Sequence, residues 1–350
     1  MIKEIRIEEA KLKVVFEIRE NGVVELKQFD PFGRIDAKEK KREAEDFYPI
    51  TEIQITGKGS RGMHAYKHNA SSGSIDFTYQ SHEITENEKG KELVIYTATE
   101  YGAKGEYHMQ FYPGTAAVQV WTVLKNEGTE AIGLEYVSSF IYQGLCQNGE
   151  KPYFEKTNVY TPCNSWDSES QWRKNDCREI NLSGMAVDGF NTPGFGMNRY
   201  CYGGHSSWST CEYLPMGICE DTECKETYFF QIEHSGQWLI EYGPSTGERL
   251  YVALSGATES EQGWWKNLKP GDTFTTVPAC FGVSDGGVNE AMAELTEYRR
   301  KIRRPNEDDE KLNVVFNDYM NCLMGDPTEE KEKAIIDKAA EMGCEYYCLD

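Results

Sequence analysis

The stretch Tyr228-Phe229-Phe230-Gln231-Ile232-Glu233-His234-Ser235-Gly236-Gln237-Trp238-Leu239-Ile240-Glu241 decides the fold class. Two arms rich in aromatic and aliphatic residues flank a two-residue Ser235-Gly236 centre, which is the signature of a β-hairpin. Upstream, Val118-Gln119-Val120-Trp121-Thr122-Val123 alternates as a half-buried strand does. Downstream, Lys269-Pro270-Gly271-Asp272 places Pro and Gly where a type II turn requires them, and Thr273 to Val283 reads as a further strand. Short alternating segments cut by Gly, Asn, Asp and Pro continue in this way from the N-terminus to about Val283, without helical periods. The pattern predicts a large antiparallel β-supersandwich over residues 1–286, bigger than an immunoglobulin-type module.

The character changes after Gly286-Gly287. From Asn289 to Arg303 the apolar residues Ala291, Leu295, Tyr298 and Ile302 recur at helical spacing, and Arg299, Arg300, Lys301 and Arg303 gather at the end that suits the helix dipole. Pro305 and the polar run Asn306-Glu307-Asp308-Asp309-Glu310-Lys311 stop this helix, so residues 287–311 are expected to be a linker helix and hinge. Leu312-Asn313-Val314-Val315-Phe316 is then a short apolar strand. Asp326-Pro327-Thr328-Glu329 reads as an N-cap acid, Pro at the first helical position and an acid at the third. Ile335, Ala339 and Met342 form one apolar stripe, Gly343 ends the helix, and Tyr346-Tyr347-Cys348-Leu349 is a second, buried strand. A β-α-β unit has parallel strands, which here end together at Asn317-Asp318-Tyr319 and at Asp350. One such unit cannot cover both faces of its sheet. Residues 312–350 are therefore expected to be the first β-α-β of a (β/α)8 TIM barrel, truncated at residue 350.

The chain has 350 residues, 39% of them hydrophobic, enough for a sizeable core. Lys and Arg number 37 against 58 Asp and Glu, a net charge of −21 that excludes nucleic acid and anionic membrane surfaces as partners. No apolar stretch is long enough to span a bilayer, and Met1-Ile2-Lys3-Glu4-Ile5-Arg6 is too polar for a secretory signal. Eleven scattered cysteines without C-x-x-C spacing fit a reducing, cytoplasmic setting. Cys344 and Cys348 are read as packing groups rather than metal ligands. No metal or organic cofactor is indicated.

No P-loop, G-x-S-x-G or H-E-x-x-H motif is present. His64, His68, His82, His108, His205 and His234 read as hydrogen-bonded or exposed side chains. The best single candidate for ligand contact is Asp350, because a carboxylate closing a parallel strand lies on the side where such sheets bind ligands and accepts hydrogen bonds from hydroxyls. Tyr319 could present a ring or a phenol to the same place, while Asn317 and Asp318 have weaker claims. In the sandwich, Asn164-Ser165-Trp166-Asp167-Ser168-Glu169-Ser170-Gln171-Trp172 has the composition of a sugar-binding loop, or of a loop that packs on a neighbouring domain or subunit.

Several passages together resemble glycoside hydrolase family 36, the melibiase-type bacterial α-galactosidases. They are Tyr136-Val137-Ser138-Ser139-Phe140, Asn164-Ser165-Trp166 with Glu169, Gln171 and Trp172, and Ser207-Trp208-Ser209-Thr210 leading to Leu214-Pro215-Met216-Gly217. Glu233-His234-Ser235-Gly236, Leu268-Lys269-Pro270-Gly271, Val315-Phe316-Asn317-Asp318-Tyr319 and Leu349-Asp350 complete the set. The resemblance spreads over the whole chain and implies a β-supersandwich, a linker helix, a catalytic barrel and a small C-terminal β domain.

It further implies retaining hydrolysis of terminal α-galactosides by two Asp carboxylates on later barrel strands, so no catalytic residue is assigned within the 350 positions. By the same resemblance Asp350 matches an aspartate that binds galactose hydroxyls. Tyr319 stands where many members carry Trp, a departure that keeps an aromatic wall but changes its size. The substrate expected is an α-galactoside, with an α-N-acetylgalactosaminide as alternative. Family members are commonly homo-oligomers in which the 164–172 loop, or the Gly57 to His68 segment, could approach a neighbour's sugar. A different class, a non-catalytic carbohydrate-binding sandwich, is the competing expectation.

Overall fold

The structure, a computed structural model, describes residues 3–9, 11–34, 48–61, 67–183, 198–245 and 249–350. They fall into two compact units, Met1–Lys301 and Ile302–Asp350.

In the first unit the strands form three antiparallel sheets. The largest has ten strands and runs Gln171–Asp176, Thr157–Cys163, Met216–Asp221, Glu226–Ile232, Ala279–Asp285, Ala117–Asn126, Ala103–Phe111, Gly90–Ala98 and Thr78–Asn87, with Thr273–Thr275 also pairing Ala117–Asn126. The second has six: Tyr200–Gly204, Trp238–Ser245, Arg249–Gly256, Ile132–Leu145 and Lys266–Leu268, with Ile53–Ile55 also on the long strand Ile132–Leu145. The third is a meander of Lys3–Glu9, Leu12–Ile18 and Val24–Pro31. The antiparallel supersandwich expected from the sequence is thus observed.

Side-chain patterning explains the layers. Ala117–Asn126 buries Val118, Val120, Thr122 and Leu124 and leaves Gln119, Trp121 and Val123 half-exposed, one face in and one face out. The three sheets meet at a cluster of rings. Phe281 of the ten-stranded sheet has its centroid 4.9 Å from Phe29 of the meander and 4.4 Å from Phe140 of the six-stranded sheet. Phe230 stacks on Phe281 at 6.1 Å. Each such ring is fully buried, and its removal from water contributes about 2–3 kcal/mol.

The arms of the 228–241 stretch do not pair with each other. Glu226–Ile232 lies between Met216–Asp221 and Ala279–Asp285 in the ten-stranded sheet. Trp238–Ser245 lies between Tyr200–Gly204 and Arg249–Gly256 in the six-stranded sheet. Residues 233–237 therefore carry the chain from one layer to the other, and the expected hairpin is a sheet crossing. The physical reason is burial: Trp238–Ser245 is buried at every position and Glu226–Ile232 at all but Gln231, so each arm satisfies its ladder with two neighbours inside its own sheet. Ser235-Gly236 bends the chain without specifying a partner.

The turn at Pro270-Gly271 forms as expected, with Gly271 at φ +88° and the Asp272 N–H donating to the Lys269 carbonyl at 2.9 Å. The strand expected from Thr273 to Val283 is instead two. Thr275 faces Val123 and Ala279 faces Val120, so three residues, 276–278, stand opposite two, 121–122. This is a bulge, and Pro278 within it has no N–H to give the ladder. Helix Val288–Ile302 buries Ala291, Leu295 and Tyr298. The Tyr298 hydroxyl donates to Glu233 Oε1 at 2.7 Å, and its ring meets the edge of Tyr112 at 5.4 Å.

In the second unit, Asn306 caps a short helix, Glu307–Lys311, by accepting the Asp308 N–H at 3.1 Å; the polar run read as a stop is itself helical. Strands Val315–Asn317 and Tyr346–Cys348 then pair in parallel around helix Glu329–Glu341, the expected β-α-β order. Two local readings shift. Thr328, rather than Asp326, is the N-cap, its hydroxyl accepting the Lys331 N–H, while Asp326 binds the Lys331 ammonium at 2.5 Å. The second strand is not buried: Tyr346 is 48% and Leu349 64% exposed, and Met342 lies open beyond the helix. Two strands and one helix leave most of the sheet uncovered within this unit. Gly343 does end the helix, at φ +85°.

Among the described residues no helix is long and apolar enough to cross a membrane. All eleven cysteines are free thiols, Cys344 and Cys348 half-buried.

Candidate functional site

The parallel register sets Asn317 opposite Cys348, so the segments leaving both strands emerge side by side. There Asn317 Nδ2 donates to Asp350 Oδ2 at 2.8 Å, and Asn317 Oδ1 accepts the Tyr319 N–H at 2.9 Å. Asp318 is the pin of the arrangement. It is 1% exposed, its N–H donates to the Cys348 carbonyl at 3.3 Å, its Oδ1 accepts the Asp350 N–H at 3.0 Å and its Oδ2 accepts the Tyr347 hydroxyl at 3.1 Å. The Asp350 N–H, helped by the Tyr347 hydroxyl and opposed by burial, holds the Asp318 carboxyl below its ordinary value.

The four residues named from the sequence thus come together, in altered rank. Asp318 is an internal brace that fixes the Asp350 backbone. Asp350 is exposed and keeps one carboxylate oxygen beyond the one bound by Asn317, so it can accept a ligand hydroxyl. The Tyr319 ring is 37% exposed and lies beside Gly325. An exposed carboxylate with an oxygen to spare suits a neutral, hydroxylated ligand.

Other polar clusters lie in the sandwich, and their partners are too far apart in sequence to be read from it. Glu241 is fully buried. It accepts the His68 N–H at 2.8 Å and the Tyr251 hydroxyl at 2.5 Å on one oxygen; on the other lie His68 Nδ1 at 2.7 Å and Arg199 Nη1 at 3.0 Å. Burial alone would raise its carboxyl; the His68 charge and hydrogen bonds outweigh this and bring it down to about 2. His68 is accordingly the hydrogen-bonded histidine expected, and Gly57 to His68 is described except for 62–66, so His64 lies outside the described residues. Asp30 and Glu226 form a second buried cluster, bridged by Asn148 Nδ2 at 3.3 and 3.0 Å. Burial, reinforced by the Asp30 charge, pushes Glu226 up to about 7.

A third cluster brings ligand atoms of Asp221, Glu223 and Cys224 within 4.8 Å of one another. The Lys156 ammonium lies 2.7 Å from Asp221 and 3.4 Å from Glu223, so the chain itself supplies the cation there. In the 164–172 loop, Asn164 donates its N–H to the Glu212 carbonyl at 2.7 Å and accepts the Ser170 N–H at 2.9 Å. This ties it to the loop of Trp208 and leaves Trp166 79% exposed.

No family model matches the chain. A curated relative, α-galactosidase Mel36A of Lactobacillus acidophilus, is 24% identical over 313 residues, which cover 87% of this chain and 39% of Mel36A. Among solved structures, the family 36 α-galactosidase AgaA of Geobacillus stearothermophilus superposes with a TM-score of 0.75 at 15% identity, covering 99% of this chain and 49% of AgaA. The α-galactosidase of Lactobacillus brevis gives 0.73 at 11% identity, covering 98% of this chain and 48% of its own. AgaA variants have also been solved with raffinose and with stachyose. The chain spans about half the length of these structures and less of the curated relative. In sequence it is similar to Mel36A, and in fold to the N-terminal part of glycoside hydrolase family 36 α-galactosidases, the family that its motifs resemble.

Proposed function

We propose that this chain is the N-terminal part of a retaining glycoside hydrolase that releases terminal α-linked galactose from oligosaccharides or glycoconjugates. In this reading residues 1–286 are the supersandwich, 287–311 the linker helix and hinge, and 312–350 the first β-α-β of a catalytic (β/α)8 barrel. The two catalytic carboxylates lie on later strands, beyond residue 350. Asp350 accepts galactose hydroxyls and Tyr319 flanks the ring, and the enzyme works in the cytoplasm as a homo-oligomer.

The observation that carries the reading is the parallel pair Val315–Asn317 and Tyr346–Cys348, with Asp350 bound by Asn317 where the strands end, in a chain that covers about half of the solved α-galactosidase AgaA. Parallel sheets place ligand chemistry at that end of their strands. The raffinose and stachyose complexes of the AgaA variants support the choice of an α-galactoside over an α-N-acetylgalactosaminide.

Hydrolysis of aryl α-galactoside and aryl α-N-acetylgalactosaminide by the full-length protein tests this, and the galactoside is expected to react faster. Asp350→Ala should lower kcat/KM by about tenfold to a hundredfold, the loss of one charged hydrogen-bond acceptor. Unchanged kinetics would remove Asp350 from the site. Turnover by the 350-residue chain alone would overturn the placement of the catalytic acids.

A further inference from the structure

A cleft of about 250 Å³ opens on the sandwich where the chain crosses between sheets. His234 and Gln237 of the crossing contribute to its wall, as do Gly256 at the end of its strand, Trp264 after the short helix Glu259–Gln262, and Phe274 and Thr275 before the bulge. Two of these lining residues are aromatic. The Trp264 and Phe274 rings lie 5.3 Å apart at a tilt of 41°, and both are half-buried, unlike the rings that fill the core.

The same lining carries polar groups with unspent hydrogen-bonding capacity. The Gln237 amide nitrogen donates to the His205 carbonyl at 2.9 Å, which fixes the side chain and leaves its own carbonyl oxygen unpartnered among the described residues. Among the described residues nothing hydrogen-bonds the His234 imidazole, the Thr275 hydroxyl or the Trp264 indole N–H either. The cleft therefore offers both donors and acceptors over an apolar face.

That combination selects among ligands. A purely apolar molecule would cover these groups without satisfying them, at a cost of about 1–3 kcal/mol each. An anion would find no Lys or Arg in the lining and would face a chain of net charge −21. A neutral ring with C–H groups on one face and hydroxyls along its edge meets both requirements, stacking on the indole while its hydroxyls bond the amide, imidazole and hydroxyl.

We propose that this cleft binds one pyranose unit. The cleft chemistry stands by itself; the choice of galactose as first probe rests on the function proposed above.

Saturation-transfer NMR and tryptophan-fluorescence titration of the full chain with methyl α-galactoside, methyl α-glucoside and methyl α-mannoside test the proposal. Binding of at least one of them with Kd in the millimolar range is expected for so small an interface. At Gly256 an added Cβ would meet Val277 alone, at 3.4 Å, so Gly256→Leu should fold with its side chain against the cleft lining. Gly256→Leu and Trp264→Ala should each weaken binding by about tenfold or more, and His234→Ala by less. Should Trp264→Ala fail to fold, Gly256→Leu and the exposed His234→Ala decide.

Failure of all three glycosides to bind overturns the proposal, as does binding that survives Gly256→Leu in a folded chain. Loss of the signal on Asp350→Ala assigns the sugar to the strand ends and also overturns it. Binding of the glucoside but not the galactoside upholds the cleft and counts against the galactoside reading.

Discussion

The sandwich unit and the 302–350 unit treat apolar side chains in opposite ways. The first buries Trp238, Tyr136, Tyr142, Tyr228, Tyr242 and Tyr251 almost completely, and even its glutamates Glu52 and Glu241 are sealed inside hydrogen-bonded shells. The second buries Ala339 and Asp318 and leaves Val314, Val315, Met320, Met342 and Leu349 largely open. Both have regular elements with correct caps. What separates them is the number of covering layers, since a strand pair and one helix can form every local hydrogen bond and still lack partners for its apolar faces.

The largest expected effect falls inside the sandwich. Glu241→Gln removes the charge that faces His68 and Arg199 in a buried site, and should cost about 3–5 kcal/mol in urea denaturation. The same group sets a pH dependence. Its folded-state value, about 2, is below its ordinary 4.5, so its contribution is complete above about pH 4.5 and is lost as pH falls toward 2. A flat stability curve over that range would contradict the account.

Glu226 has the opposite sign. Its folded-state value is raised to about 7, so the folded chain holds a proton that the unfolded chain releases, and stability falls as pH rises from about 4.5 to 7. Glu226→Gln should therefore raise the denaturation midpoint at pH 7.5, by the equivalent of about 3 kcal/mol at most, with little change at pH 4.5. A lower midpoint at pH 7.5 would show that the Arg34 and Asn148 contacts outweigh the burial of the acid.

The smallest effect belongs to the second unit. Met342→Ala should change stability by less than about 0.5 kcal/mol, because the side chain is 78% exposed. A loss above about 1 kcal/mol would mean that this methionine is covered in solution, and the contrast between the units would then shrink.

Much of this was legible locally. The alternation of 118–123, the Pro270-Gly271 turn, the helix ending near Arg303 and the glycine after Met342 follow from short-range chemistry, and all stand in the structure. The partnership of strands was not. Tyr228–Glu241 has the composition of two strands and a turn, but nothing within it says that its arms belong to different sheets; that is decided by neighbours such as Ala279–Asp285 and Tyr200–Gly204. The same distance hides the candidate site. Asn317 and Asp350 could be placed at strand ends by the β-α-β pattern, whereas the bracing role of Asp318 depends on Tyr347 and on the backbone of Asp350. Glu241 and His68 are 173 residues apart, and no short motif joins them.

The five-residue passage at 233–237 also limits how far the sandwich can come apart. Fully stretched, such a strap reaches about 17 Å, while packed sheets are spaced about 10 Å. A swollen chain that has lost its side-chain interlocking is therefore still tethered within several ångströms of its native layer spacing at this point. Recovery from that condition would begin with the two layers already apposed, and finding the right mate for each layer would be largely a matter of lateral sliding rather than of search through space.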